Sequence, residues 1–129
     1  MPFDCTPPEI DTSNEVQLRT LVAARNLIKK GWCQNTSKAG KKYCMIGALM
    51  QVVAPEAPLS KKAPAERKII FSTIKYLAEE IYPDLKMAED RTPSTLVIHF
   101  NDSIHRRKRD VVKVYDRAIA RLTAEPRKV

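Results

Sequence analysis

The residue best suited to covalent chemistry is Cys44, in the stretch GWCQNTSKAGKKYCMIGALM (31–50). The apolar run that follows it reads as a helix from about Tyr43 to Val53, which puts the thiol in the first turn. Unpaired backbone N–H groups and the positive end of the helix dipole favour a thiolate there, and Lys41 and Lys42 add positive charge. A nucleophilic thiol also needs a base and an orienting group. His99, Asn101 and Asp102 supply those residue types, and Gln34 is available as an oxyanion donor. This set describes a thiol-dependent hydrolase or transferase with Cys44, His99 and Asn101 as its catalytic residues.

The order Gln, Cys, His, Asn is similar to that of papain-like enzymes. The local sequence KYCMIGAL lacks the papain-type run around the nucleophile, and a helical chain offers no sheet half to carry the histidine. The same residues also have a structural account. A free cysteine packs as a small hydrophobe, Gly47 and Ala48 let another helix come close, and Trp32 covers an end of the core. Metal binding finds no support, because Cys33 and Cys44 are too far apart for a zinc knuckle. Gly31, Gly40 and Gly47 fit no phosphate loop, so the sequence implies no cofactor.

A second chemistry is anion contact. Arg109, Lys113, Arg117 and Arg121 recur every four residues, and Arg106, Arg107 and Lys108 extend the stripe at its N-terminal end. Such a stripe can neutralise phosphates. Asp110 and Asp116 interrupt it and are spaced to pair with Lys113, as on an ordinary solvated face. No nucleic-acid-binding signature accompanies the stripe, and the interhelical connections are too long for a helix-turn-helix.

Helices must position these residues. Thr12 with Glu15 forms a capping-box pattern, and Leu18, Leu21, Ala24 and Ile28 share one face until Gly31 stops the helix. Arg25, at the edge of that face, needs a partner or a route to solvent. The helix after Cys44 is apolar almost all round and ends before Pro55. Pro64 suits the first position of a third helix that buries Ile70, Ile74, Leu77 and Ile81. TLVIHFND (95–102) has strand propensity but no partner strand, and reads as a short helix or a buried extended segment. A last helix is expected from Asp102 or Ser103, with Val111, Tyr115, Ala118 and Leu122 facing inward.

These elements predict an all-α fold of four or five helices over residues 12–124, preceded by a proline-rich arm (1–11) and followed by a basic tail (125–129). An apolar share of 43% over 129 residues suffices for one core. The first 18 residues carry four acids and no lysine or arginine, so a formal net charge of +8 corresponds to about +12 over the rest of the chain. With three cysteines, no signal-peptide pattern and no apolar run of bilayer length, a cytoplasmic protein without a membrane partner is expected.

The combination Gly31-Trp32-Cys33-Gln34, Cys44-Met45-Ile46-Gly47-Ala48-Leu49 and Phe100-Asn101-Asp102, followed by a helix with Val111 and Asp116-Arg117-Ala118-Ile119, resembles a bacterial and phage domain-of-unknown-function family. The likeness spans roughly residues 14–122, with Phe100 standing where the family carries a tryptophan and His99 outside the pattern. It implies a small helical domain in which Trp32, Gln34, Cys44, Asn101 and Asp102 meet at one corner, as a pocket or as a structural knot. The expected function is a small basic binding module whose partner is a nucleic acid, an acidic protein or another anion, with the Cys44 enzyme as the alternative.

Overall fold

A computed structural model of the chain describes residues 14–55, 57–82 and 92–124. The arm at 1–11, the Thr12 cap, Cys5 and the 125–129 tail lie outside the described residues. Five α-helices and a short hairpin follow in the order α1 (Asn14–Lys30), β1 (Lys38–Ala39), β2 (Lys42–Tyr43), α2 (Met45–Val52), α3 (Pro64–Ile81), α4 (Pro93–Asp102) and α5 (Lys108–Ala124), with one 3-10 turn at Leu59–Lys61 before α3. The fold is mainly α, as expected, and the ambiguous 95–102 segment is helical.

The starts of α3, α4 and α5 have local causes. Thr92 Oγ1 accepts from Thr95 N at 3.2 Å, and Pro93 fills the first position of α4, where a missing N–H does no harm. Strand propensity in 95–102 loses because the described strands, β1 and β2, pair with each other, whereas a helix satisfies its own backbone. The Glu66 carboxylate accepts Ala63 N at 2.7 Å ahead of Pro64. Asp110 accepts Arg107 N at 3.0 Å, so α5 starts at Lys108 rather than at Asp102 or Ser103. Asp102 instead ends α4, where its side chain is engaged by the loop after α1.

At two glycines the backbone of another segment comes close. Gly31 ends α1 as expected, its N–H donating to Leu27 O and Ile28 O at 3.1 Å each, without a left-handed φ. A Cβ there would stand 2.9 Å from Lys41 O, because the chain runs directly into a bridge between Trp32 and Tyr43. Gly47 lets Ser37, the loop residue just before the hairpin, and not a helix, press onto α2: a Cβ would stand 1.8 Å from Ser37 O. The lysine-bearing loop is this antiparallel hairpin, with Lys38 opposite Tyr43 and Ala39 opposite Lys42. Gly40, at φ +63°, turns it.

The core lies where α1, α2, α3 and α5 meet, with α4 closing one side on α3 and α2. Leu21, Ala24 and Ile28 of α1, Met45, Ala48 and Leu49 of α2, Ile70, Ile74 and Leu77 of α3, and Val111, Tyr115 and Ala118 of α5 are buried. Ile81, expected to face inward, packs against this core while partly exposed. Tyr115, fully buried, donates its hydroxyl to Met45 O at 2.6 Å and so ties α5 to the start of α2. Buried Lys62 donates to Ala57 O at 2.6 Å and to Ala54 O, closing the turn after α2. Among the described residues no helix is long and apolar enough to cross a membrane.

Candidate functional site

Asn101, on the last turn of α4 and 1% exposed, uses its whole amide. Its Oδ1 accepts from Trp32 Nε1 at 2.8 Å and from Met45 N at 3.1 Å, while Nδ2 donates to Cys33 O at 3.2 Å and to Asp102 Oδ1 at 2.8 Å. A flipped amide would set donor against donor at Trp32 and Met45, so the network fixes the orientation. Gln34 Nε2 donates to Asn101 O and Ser103 O, both at 2.9 Å, and so caps carbonyls that the end of α4 leaves open. Asp102 Oδ1 also accepts Asn35 N at 2.9 Å, and Asn35 takes the left-handed φ of 66° that asparagine tolerates. Trp32, Gln34, Asn101 and Asp102 therefore meet through direct hydrogen bonds, and Cys44 stands next to Met45 at the same corner.

Cys44 is the N-cap of α2 rather than a first-turn residue. With φ −80° and ψ 176°, its Sγ accepts Gly47 N at 3.2 Å, in the manner of a capping serine. The N–H groups of Gly47 and Ile46 pull its pKa down, but burial outweighs them and pushes the thiol up, with Cys33 and Asp102 adding to the rise. The expected activation by the helix start is thus reversed by desolvation. Burial likewise raises Cys33, whose Sγ lies 3.5 Å from Thr36 O. His99 is exposed on α4, where its carbonyl accepts from Ser103 Oγ at 2.9 Å, and it does not line the cavity beside Cys44.

That cavity, of about 380 Å³, opens beside the Asn101 corner between α2, α3, α4 and the loop at Asn35–Ser37. Its wall is mostly apolar: Met45, Ile46 and Met50 from α2, Ile70, Phe71 and Ile74 from α3, and Val97 and Ile98 from α4. Cys44, Ser94, Asn101 and Asp102 add polar atoms. Phe71 and Ile98, 46% and 47% exposed, are the wall residues that periodicity alone misses. Their signal was apolar side chains just off the inward face of α3 and α4. Among the described residues no group of three or more histidine, cysteine or acidic side chains could hold a metal ion.

The basic stripe of α5 divides. Arg117 Nε lies 3.2 Å from Glu80 Oε1, and Arg121 Nε lies 3.4 Å from Glu80 Oε2 while its guanidinium stacks 4.0 Å over Tyr76. Asp116 pairs with Arg25 of α1 and not with Lys113, which gives Arg25 its partner. Arg106 stacks 3.6 Å over Phe100 and donates to its carbonyl at 2.8 Å. Arg109 and Lys113 stay exposed without an ion pair among the described residues.

Tertiary packing gathers further cations at the N-terminal end of that stripe. Lys108 Nζ donates to Lys29 O at 3.1 Å, which joins the start of α5 to the end of α1. Lys41 and Lys42 close on Gly31, where an added Cβ would stand 2.9 Å from Lys41 O and 3.1 Å from Lys42 Cγ. Lys29, Lys30, Lys41, Lys42, Arg107, Lys108 and Arg109 thus lie on three segments that meet at the end of α1, all exposed and none in an ion pair among the described residues. A search for repeats within one helix cannot find this cluster.

Fold and corner define a small, mainly α-helical domain in which a hydrogen-bonded asparagine locks the end of one helix to the start of another beside an apolar cavity. The chain belongs to the family of unknown function DUF6197, whose model matches residues 13–121. No curated protein and no solved structure is significantly similar to it.

Proposed function

We propose that this protein is a small basic intracellular binding module that contacts a nucleic acid through the cationic end formed by α1, the hairpin and α5. The observation that supports this reading is that the segments carrying Lys29, Lys30, Lys41, Lys42, Arg107, Lys108 and Arg109 meet at the end of α1, with these residues exposed and without ion pairs among the described residues. Like charges held close together raise the local potential, and phosphates in a row are the ligand that lowers it. An acidic protein is the competing anion, and it would not share the steep salt dependence of a phosphate polymer. The thiol-enzyme reading is the weaker one, because burial raises Cys44 and His99 is exposed outside the cavity.

The test is titration of a short mixed-sequence duplex DNA and of polyuridine at several salt concentrations. Affinity should fall linearly on a log–log plot, by about 0.9 in slope for each duplex phosphate neutralised. Changing Lys29, Lys30, Lys41 and Lys42 together to Ala should flatten that slope, whereas Arg117→Gln, on the face paired with Glu80, should leave it unchanged. Absence of binding to either polymer at low salt refutes the reading.

A further inference from the structure

The cavity beside Asn101 makes a chemical demand that differs from that of the basic end. It is walled by apolar side chains from three helices, its volume of about 380 Å³ falls in the range of small-molecule sites, and the half-exposed Phe71 and Ile98 are among its lining residues. Among its lining residues Asp102 is the one carboxylate, and no lysine, arginine or histidine lines it. Asp102 is held in place, since Oδ1 accepts from both Asn35 N and Asn101 Nδ2, while Oδ2 has no hydrogen-bond partner among the described residues. Asn101 cannot serve a ligand, because both of its Oδ1 and both of its Nδ2 bonds are already made. The thiol of Cys44, kept neutral by burial, offers no charge. Asp102 is therefore the one charged acceptor beside this apolar chamber, next to the neutral side chains of Asn35, Thr36, Ser37 and Ser94.

We propose that this cavity binds a small amphipathic ammonium compound, with the apolar body among Met45, Met50, Ile70, Ile74 and Val97 and the cationic head on Asp102. A carboxylate at the edge of an apolar wall is best compensated by a cation that also donates hydrogen bonds. The chemistry is selective against the background of the molecule. With a net charge of +8 the protein attracts anions at long range, so a preference for a cation at this position can only come from the local carboxylate.

Three probes with one body and different heads separate these effects: octylammonium, octanol and octanoate, each titrated into the native protein and followed by methyl resonances of Met45, Met50, Ile70 and Ile74. Octylammonium should bind at least ten-fold more tightly than octanoate and shift those methyls, with octanol between them. Asp102→Asn keeps an oxygen that accepts from Asn35 N and Asn101 Nδ2 but removes the charge, so the fold should persist and the ammonium preference should disappear while octanol affinity stays. A Met50→Trp variant, which fills the chamber, should lose all three probes. The inference is overturned if octanoate binds as well as octylammonium, if the preference survives Asp102→Asn, if the shifted methyls lie elsewhere, or if none of the probes binds.

Discussion

At the scale of single residues, Asn101 and Cys44 explain how the corner is held and how burial acts on its thiol. Removal of the Asn101 amide strands Trp32 Nε1 and Met45 N, together with the carbonyl of Cys33. Each buried group left without a partner costs about 1–3 kcal/mol, so Asn101→Ala should lower stability by roughly 3 kcal/mol or more. The urea midpoint at unchanged m-value measures this. Cys44 and Tyr115 both have folded pKa values raised by burial above ordinary values of 9.0 and 10.0. The unfolded chain therefore loses these protons first, and their contribution to stability, complete below about pH 9, falls as pH rises towards the folded values. Thermal unfolding between neutral and alkaline pH should show this decline. Cys44→Ala should remove its early part, even though the loss of the cap lowers the starting stability.

Among the elements, the hairpin carries the most specific demand. Its strands are two residues each, too short to stand alone, and it is held by its seat on α2 and by Cys44 N donating to Ser37 O at 3.2 Å. Gly47→Ala puts a Cβ into Ser37 O, so the hairpin must lift, at a cost of about 1–3 kcal/mol. The Cys44 amide should then exchange with solvent much faster. Gly40→Ala serves as the comparison. It meets nothing within 4 Å but must adopt φ +63°, which costs about 1–2 kcal/mol without opening the seat on α2. Equal exchange at the Cys44 amide in both variants would show that Gly47 is not the seat.

For the whole molecule, charge segregation sets the response to salt. The described ion pairs gather where α5 meets α1 and α3, through Arg25–Asp116 and the contacts of Arg117 and Arg121 with Glu79 and Glu80. The cations at the other end repel one another. Raising ionic strength from about 0.01 to 0.15 M shortens the screening length from about 30 to 8 Å, which acts on that repulsion more than on pairs in contact. The unfolding temperature should therefore rise with sodium chloride at neutral pH. A fall would mean that the ion pairs outweigh the cluster.

The sequence by itself determined the helices and most of their inward faces, because a 3.6-residue period of apolar side chains, proline at a first helical position and oxygen-bearing caps are local signals that packing here reinforces. The family resemblance of the quoted motifs also implied a corner of Trp32, Gln34, Cys44, Asn101 and Asp102. What Cys44 does there, which partner each arginine takes, and where the free cations meet were decided by the tertiary structure alone. Desolvation of a thiol depends on what covers it, and the salt bridge from Arg25 to Asp116 joins residues far apart in the chain. The hairpin was missed for the same reason. Two-residue strands carry no period of their own and exist because Gly47 leaves room for Ser37 on the helix behind them.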